Sequence, residues 1–194
     1  MQDQSVRIAV FASGSGTNAE RIFGYFRGHA SVSVALLLSN KPDAYALVRA
    51  EKAGVPHHVF NKEEFHSGKV LSVLTEAGIT HLVLAGFLWL MPESIVRQYP
   101  GRIINIHPAL LPAFGGKGMY GMRVHEAVKA SGATSTGITI HEVNERYDEG
   151  RIIFQASCPV EPADSPEQIA EKVHGLEYAH YPATIERWIA STNH

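Results

Sequence analysis

The sequence predicts an α/β protein with a doubly wound, mostly parallel sheet flanked by helices, and three observations support this fold class. Short β-branched, apolar runs alternate with segments that repeat apolar residues at helical spacing. Glycine-containing or proline-containing turns separate many of these segments. Toward the C-terminus, two strands with period-two alternation precede a long helical segment, which predicts an antiparallel hairpin and a terminal helix.

The first half of the chain, about residues 7–100, repeats strand and helix in turn. The expected elements are strand 7–12, helix 19–26, strand 32–38, helix 45–53, strand 55–60, helix 63–77, strand 81–85 and helix 92–99. The first strand stops at the glycine-rich turn Ser13–Asn18, Gly54 and Gly78 end two helices, and Pro92 stands near the first turn of another. Alternation of this kind favours a parallel sheet with helical crossovers.

The second half, about residues 101–190, does not continue the regular alternation of strand and helix. The expected elements are strand 102–106, helix 124–130, strands 136–143 and 152–160, and a terminal helix 166–190 that is interrupted or rephased near Pro182. The stretch Gly115–Gly121 is too rich in glycine for regular structure and predicts a mobile loop. We find no repeat and no linker, so we expect one domain over residues 1–194.

Composition excludes several classes of protein. The 194 residues carry 17 basic and 19 acidic side chains, a net charge of -2, and no basic run, so we expect no nucleic-acid partner. The single cysteine, Cys158, allows no internal disulfide and fits a reducing compartment. The N-terminus does not resemble a secretory leader, and no window has the ~18 apolar residues of a membrane span. We therefore expect a cytoplasmic protein without a membrane partner.

A first candidate site is the turn between the first strand and the first helix. Its residues, with backbone or side-chain donors for an anion, are Gly14, Ser15, Gly16, Thr17 and Asn18. The turn could bind a phosphate, or it could be a plain βα turn without a ligand. A dinucleotide site is a third possibility, because Gly14 and Gly16 also match the G-x-G-x-x-A fingerprint. That fingerprint expects an acidic residue at the end of the second strand. The sequence there is Ser39-Asn40-Lys41, which weakens the dinucleotide interpretation.

A second candidate site is Asn105-Ile106-His107-Pro108, at the end of an apolar strand where open parallel sheets bind ligands. Residues two apart in an extended chain share a face, and Pro108 biases His107 away from helix. An amide beside an imidazole could bind the oxyanion formed when an amine attacks a carbonyl, so acyl transfer is the reaction it favours. A histidine that merely caps a strand is the alternative.

A third candidate site is the acidic loop Asn144–Gly150, from which a carboxylate could pair with His107. Such a charge would favour the imidazolium over its ordinary pKa of ~6.5. A solvated hairpin tip is the alternative. His57, His58 and His141 lack partners at metal-ligand spacing, so we expect no metal.

Four motifs in order resemble the phosphoribosylglycinamide formyltransferase family, also called glycinamide ribonucleotide transformylases. They are Ser13-Gly14-Ser15-Gly16-Thr17-Asn18, Leu84-Ala85-Gly86-Phe87, Asn105 to Pro112, and His141-x-Val143-x-x-x-x-Asp148-x-Gly150. The likeness runs from about Arg7 to about Trp188. It implies a Rossmann-like formyltransferase fold that takes a formyl group from 10-formyltetrahydrofolate to the amine of glycinamide ribonucleotide in purine synthesis, without a covalent enzyme intermediate.

The resemblance also implies roles for residues. Asn105 and His107 would bind the oxyanion, and Asp148 would orient or charge His107 and assist proton movement. The ribonucleotide would contact Gly14, Ser15, Gly16, Thr17, Asn18, Pro108 and Glu177. The reduced folate would contact Lys62, Leu88, Trp89, Leu90, Asn105, Val143, Asn144, Glu145 and Tyr147.

Other functions stay open at this point. A dinucleotide-dependent oxidoreductase, a non-catalytic module for phosphorylated ligands, and another folate formyltransferase acting on a different amine each fit part of the pattern. The expected partners are small molecules, and a monomer or a homodimer is expected.

Overall fold

The computed structural model describes residues 5–192, which form two compact units, one up to Ile104 and one from Asn105 onward. The expectation of one domain over the whole chain stays a prediction. The described strands and helices are β1 (Val6–Phe11), α1 (Thr17–Phe26), β2 (Val32–Ser39), α2 (Tyr45–Ala53), β3 (His57–Val59), α3 (Lys62–His66), α4 (Lys69–Glu76), β4 (His81–Leu84), α5 (Glu93–Gln98), β5 (Ile103–His107), α6 (Met122–Ala130), β6 (Ser135–Glu142), β7 (Ile152–Pro159) and α7 (Pro166–Thr192).

The first unit is built on a parallel sheet with neighbours in the order β3-β2-β1-β4-β5. Strand β1 pairs in parallel with β2 and with β4, and β2 pairs in parallel with β3. Four of the six residues of β1 form a continuous buried run, Ile8 to Phe11, as expected for a strand covered on both faces. Helix α1 buries Ala19, Ile22, Phe23 and Phe26, whose spacing of three and four residues makes one helical stripe.

The second unit contains the end of β5, followed in sheet order by β6 and β7. Strands β6 and β7 pair antiparallel, with Thr139 opposite Gln155. Helix α7 packs against α6, β6 and β7. The predicted α/β fold with a mostly parallel sheet, a C-terminal hairpin and a terminal helix is therefore confirmed.

Two expectations for the helices were wrong. The helix expected over 63–77 is two helices, α3 and α4, because Gly68 adopts a left-handed conformation with φ of 92° between them. The interruption expected near Pro182 is absent, and α7 continues through this residue. Pro182 and its neighbour Tyr181 are buried, so packing compensates for the backbone hydrogen bond that proline cannot make.

No helix among residues 5–192 combines the length and the apolar character needed to cross a bilayer.

Each unit contains one of the two tryptophans of the chain. Trp89 contacts the rings of Phe60, Phe65 and Phe87 in the first unit. Trp188 is buried on α7 in the second.

Candidate active site

The three residues expected to react lie together in the second unit. Nδ1 of His107 is 3.6 Å from Oδ2 of Asp148. The other carboxylate oxygen of Asp148, Oδ1, is 3.5 Å from Nε2 of His141. The same Nε2 is 3.1 Å from Nδ2 of Asn105. His141 therefore links Asn105 to Asp148, and Asp148 links both to His107.

The orientation of the His107 ring follows from a backbone contact. Nε2 of His107 is 2.7 Å from the carbonyl oxygen of Phe114, which can only accept a hydrogen bond. Nε2 must therefore carry a proton. In the neutral ring this is the only N–H, so Nδ1 presents its lone pair toward Asp148.

His141 is the member of this cluster that sequence reasoning missed. Its Nδ1 donates to the carbonyl oxygen of Glu142 at 2.8 Å. When the ring is neutral, Nε2 accepts a hydrogen from the Asn105 amide, and when the ring is protonated, Nε2 can donate to Asp148. The available signal was its place on β6, inside the motif that also contains Asp148, but a search for metal-ligand spacing does not detect it.

Asp148 occupies a constrained position in the loop between β6 and β7. Its φ of 56° lies in the left-handed region, which is uncommon for residues other than glycine. Its Oδ2 accepts a hydrogen bond from the backbone N–H of Gly116 at 2.9 Å. A Cβ on Gly115 would lie 3.4 Å from the Cβ of Asp148 and 2.5 Å from a methyl group of Leu111. A larger residue at 115 would therefore require the Leu111 side chain beside Asp148 to move.

Burial and nearby groups act in opposite directions on the pKa of His107. Burial lowers the pKa of His107, and this outweighs the nearby Asp148 carboxylate and the Phe114 carbonyl, which raise it. His141 lowers it further. Asp148 does favour the imidazolium, as expected, but the net pKa of His107 lies below its ordinary value. Burial outweighs this effect of Asp148, because the His107 ring is almost fully removed from water.

Asp148 is held in its ionised form by its neighbours. Burial acts to raise the pKa of this carboxyl, but His141, His107 and the N–H of Gly116 together lower it below its ordinary value. At neutral pH the pair is therefore a carboxylate facing an uncharged imidazole.

The segment after His107 is fixed to β6 by one buried hydroxyl. Oγ1 of Thr139 donates to the carbonyl oxygen of Ala109 at 2.7 Å and accepts from the N–H of Leu111 at 2.9 Å. The segment from Pro108 to Leu111 thus runs along the hairpin before it reaches Phe114, the acceptor of the His107 ring.

The glycine turn lies in the first unit, where its carbonyl groups are occupied. The carbonyl of Gly14 accepts from Ala46 at 3.1 Å, that of Ser15 accepts from Arg49 Nε at 2.8 Å, and that of Gly16 accepts from Glu20 within α1. A Cβ on Gly16 would lie 2.5 Å from the Cα of Ala46, and its φ is 72°. The N–H groups of the first turn of α1, which no carbonyl of the same helix can accept, are the groups suited to an anion.

The end of β2 bears on the dinucleotide interpretation. Oγ of Ser13 donates to Oδ1 of Asn40 at 2.7 Å, and both side chains are buried. Ser13 Oγ also accepts from the N–H of Leu88 at 3.1 Å. The position at which a ribose acid was expected is thus a neutral amide that supports the turn.

The other predicted contact residues are distributed over both units. In the first unit Lys62 is exposed at the start of α3, and the following residues are half-buried after β4: Leu88, Trp89 and Leu90. In the second unit Glu177 is buried on α7, and four of the predicted residues lie in the loop after β6: Val143, Asn144, Glu145 and Tyr147. Pro108 and Asn105 are half-buried.

His107 at the end of β5, Asp148 in the hairpin loop and the Asn105 amide form an arrangement of the kind suited to acyl transfer. The family described as formyl transferase matches residues 6–185, and the chain belongs to this family. Within it, the chain is 43% identical over 186 residues to a chloroplastic phosphoribosylglycinamide formyltransferase of Arabidopsis thaliana. This match covers 92% of the chain and 64% of the relative, so the chain spans less than two thirds of that protein.

Two further comparisons give the same result. Phosphoribosylglycinamide formyltransferase of Haemophilus influenzae is 36% identical over 186 residues, covering 93% of this chain and 85% of that one. The crystal structure of phosphoribosylglycinamide formyltransferase from Bacillus halodurans has a TM-score of 0.86 and 36% identity, and covers 96% of each chain. The predicted resemblance to phosphoribosylglycinamide formyltransferases is confirmed.

Proposed function

We propose that this protein transfers the formyl group of 10-formyltetrahydrofolate to the amine of glycinamide ribonucleotide in purine synthesis. The observation that carries the proposal is the cluster in which His141 and Asp148 connect Asn105 with His107. The likeness to proteins named phosphoribosylglycinamide formyltransferase over more than nine tenths of the chain supports the choice of substrates.

The amide of Asn105 is the proposed donor to the oxyanion. Attack of the amine on the formyl carbon produces a tetrahedral intermediate with a negatively charged oxygen. Nδ2 of Asn105 carries two hydrogens, and Nε2 of His141 lies 3.1 Å away as the acceptor for one of them. The second hydrogen binds the oxyanion. Since His141 fixes the plane of the amide, this donor is oriented before the reaction starts.

The pair of His107 and Asp148 is the proposed acceptor for the proton that the attacking amine must lose. His107 is neutral at pH 7 because burial lowers its pKa, and its Nδ1 lone pair is available. When Nδ1 takes the proton, the ring becomes an imidazolium 3.6 Å from a carboxylate that stabilises it. His107 then adds a positive charge that stabilises the oxyanion. Asn105 and His107 thus keep the oxyanion role that the resemblance implied.

The remaining contacts follow the family resemblance. The phosphate of the ribonucleotide binds the turn of Gly14, Ser15, Gly16, Thr17 and Asn18, with Pro108 and Glu177 contacting the rest of the ribonucleotide. The folate binds Lys62, Leu88, Trp89, Leu90, Val143, Asn144, Glu145 and Tyr147. The donor is a cosubstrate, and the reaction needs no metal. The protein acts in the cytoplasm as a monomer or a homodimer on small molecules alone.

The direct test is to mix the protein with glycinamide ribonucleotide and 10-formyltetrahydrofolate and to follow release of tetrahydrofolate. Formyl transfer that is lost in Asn105→Ala supports the proposal. Failure of the wild-type protein to release tetrahydrofolate from this mixture contradicts it. Binding of NAD in the absence of folate binding would instead support an oxidoreductase.

A further inference from the structure

An exposed glutamine on β7 contacts the segment that follows His107. Nε2 of Gln155 is 3.1 Å from the carbonyl oxygen of Leu111 and 2.8 Å from Oγ1 of Thr139. Gln155 and Thr139 are directly opposed in the antiparallel pair of β6 and β7, so their side chains lie on the same face. The residue is exposed and contributes little to the core.

The direction of each hydrogen bond in this group is determined. A hydroxyl has one hydrogen to donate and can accept two. The carbonyl of Ala109 can only accept, so it takes the hydrogen of Thr139 Oγ1. The N–H of Leu111 and the amide of Gln155 fill the two acceptor positions. Gln155 must therefore present its NH₂ group, because both of its neighbours are acceptors.

This group holds the chain segment that runs from His107 to Phe114, the residue whose carbonyl orients the His107 ring. The Thr139 and Gln155 side chains together hold three backbone groups of the segment: Ala109 C=O, Leu111 N–H and Leu111 C=O. The Leu111 side chain in turn fills the space where a Cβ of Gly115 would stand. Gly115 directly follows Phe114, whose carbonyl accepts the His107 Nε2–H. We therefore expect a shift of Leu111 to disturb the backbone at Gly115 and, with it, the Phe114 carbonyl that accepts from His107.

We propose that Gln155 is a positioning residue for formyl transfer, which acts through the Ala109 to Phe114 segment to hold Nδ1 of His107 toward Asp148. The inference rests on the proposed function for its kinetic consequence. Its structural consequence, the setting of the His107 ring, is independent of that function.

The test uses Gln155→Glu, which keeps the shape of the side chain but replaces the NH₂ donor with an oxygen. Two acceptors would then face the new carboxylate, so the Thr139 hydroxyl can turn toward it and release Ala109. We expect turnover to fall roughly ten-fold, since small displacements of reacting groups are costly, with KM for both substrates changed by less than about two-fold. We also expect the ¹⁵N resonance of His107 Nε2 to move.

The matched control is Ser157→Glu, which adds the same charge two residues along the same exposed face of β7. It should leave both turnover and the His107 resonance as in the wild type. Gln155→Met removes the NH₂ donors without adding a charge. It replaces Gln155→Glu in both measurements if the glutamate variant does not fold. An unmoved His107 resonance in a folded Gln155 variant overturns the proposal, as does equal turnover in Gln155→Glu and Ser157→Glu. If the wild-type protein transfers no formyl group, the proposed function fails while the resonance still decides the role of Gln155.

Discussion

Replacement of Asp148 by asparagine removes a charge while it keeps the shape of the side chain. The carboxylate oxygen lies 3.6 Å from Nδ1 of His107. Unit charges at this distance interact by about 5 kcal/mol at an effective dielectric constant of about 20, and by about 1 kcal/mol with the screening of water. Because 1.36 kcal/mol corresponds to one pKa unit, the loss lowers the His107 pKa by about one to three units.

The sign of the effect on activity follows from the role proposed for His107. A neutral ring accepts the proton, so turnover rises as pH increases through the His107 pKa, which already lies below its ordinary value. In Asp148→Asn this acid limb moves to lower pH, because the charge that favoured the imidazolium is gone. The plateau falls as well, by roughly 100- to 10,000-fold, the usual contribution of acid and base groups.

The assay is the release of tetrahydrofolate at saturating substrates across a pH series, with thermal unfolding as a check on folding. Glu149→Gln is the matched control, because Glu149 is the next residue, is exposed, and pairs with Arg146 at 3.2 Å. It should leave the profile in place. An acid limb that stays at the wild-type pH in Asp148→Asn would refute the electrostatic coupling.

Three further predictions are each open to one measurement. Asn105→Ala should lower turnover roughly 100- to 1000-fold with little change in KM, as for loss of one oxyanion donor, and a kinetic titration of both substrates checks it. Gly16→Ala should destabilise the protein to urea by about 1–3 kcal/mol more than Gly28→Ala, since both have positive φ but only a Cβ at 16 meets backbone. His125 is buried, and burial, followed by the charges of His174 and His107, lowers its pKa to about 4. Its folded pKa is depressed, so its stabilising contribution is complete above pH ~6.5 and is lost as pH falls toward 4; His125→Gln should reduce acid destabilisation in that window by about 2–3 kcal/mol.

Local patterns identified the fold because each element depends mainly on its own sequence. Helix α2 has the predicted bounds, Tyr45–Ala53, since Gly54 terminates it with a φ of 71°. The break at Gly68 was missed because the apolar spacing continues from Phe65 to Leu74 across it. The continuity of α7 through Pro182 depends on packing against the rest of the unit, which no local pattern contains.

The candidate site was predicted only where neighbours in the chain are neighbours in space. Asn105 and His107 are two residues apart on one strand, and the sequence pairs them directly. His141 lies 36 residues from Asn105, and its ring is placed by the register of the hairpin. The net pKa of His107 depends on the depth of burial, which sequence does not specify. Gln155, like His141, could not be identified from local sequence, because Leu111, which it contacts, lies 44 positions earlier in the chain.

The two tryptophans provide separate optical probes of the two compact units. Trp89 packs among aromatic rings in one, and Trp188 is buried in the other. A Trp188→Phe protein emits from the first unit alone and a Trp89→Phe protein from the second. Coincident urea transitions in the two proteins would mean that both units unfold as one cooperative body, and separated transitions would mean that each has its own stability. Fluorescence can thus follow each half of the chain without any added label.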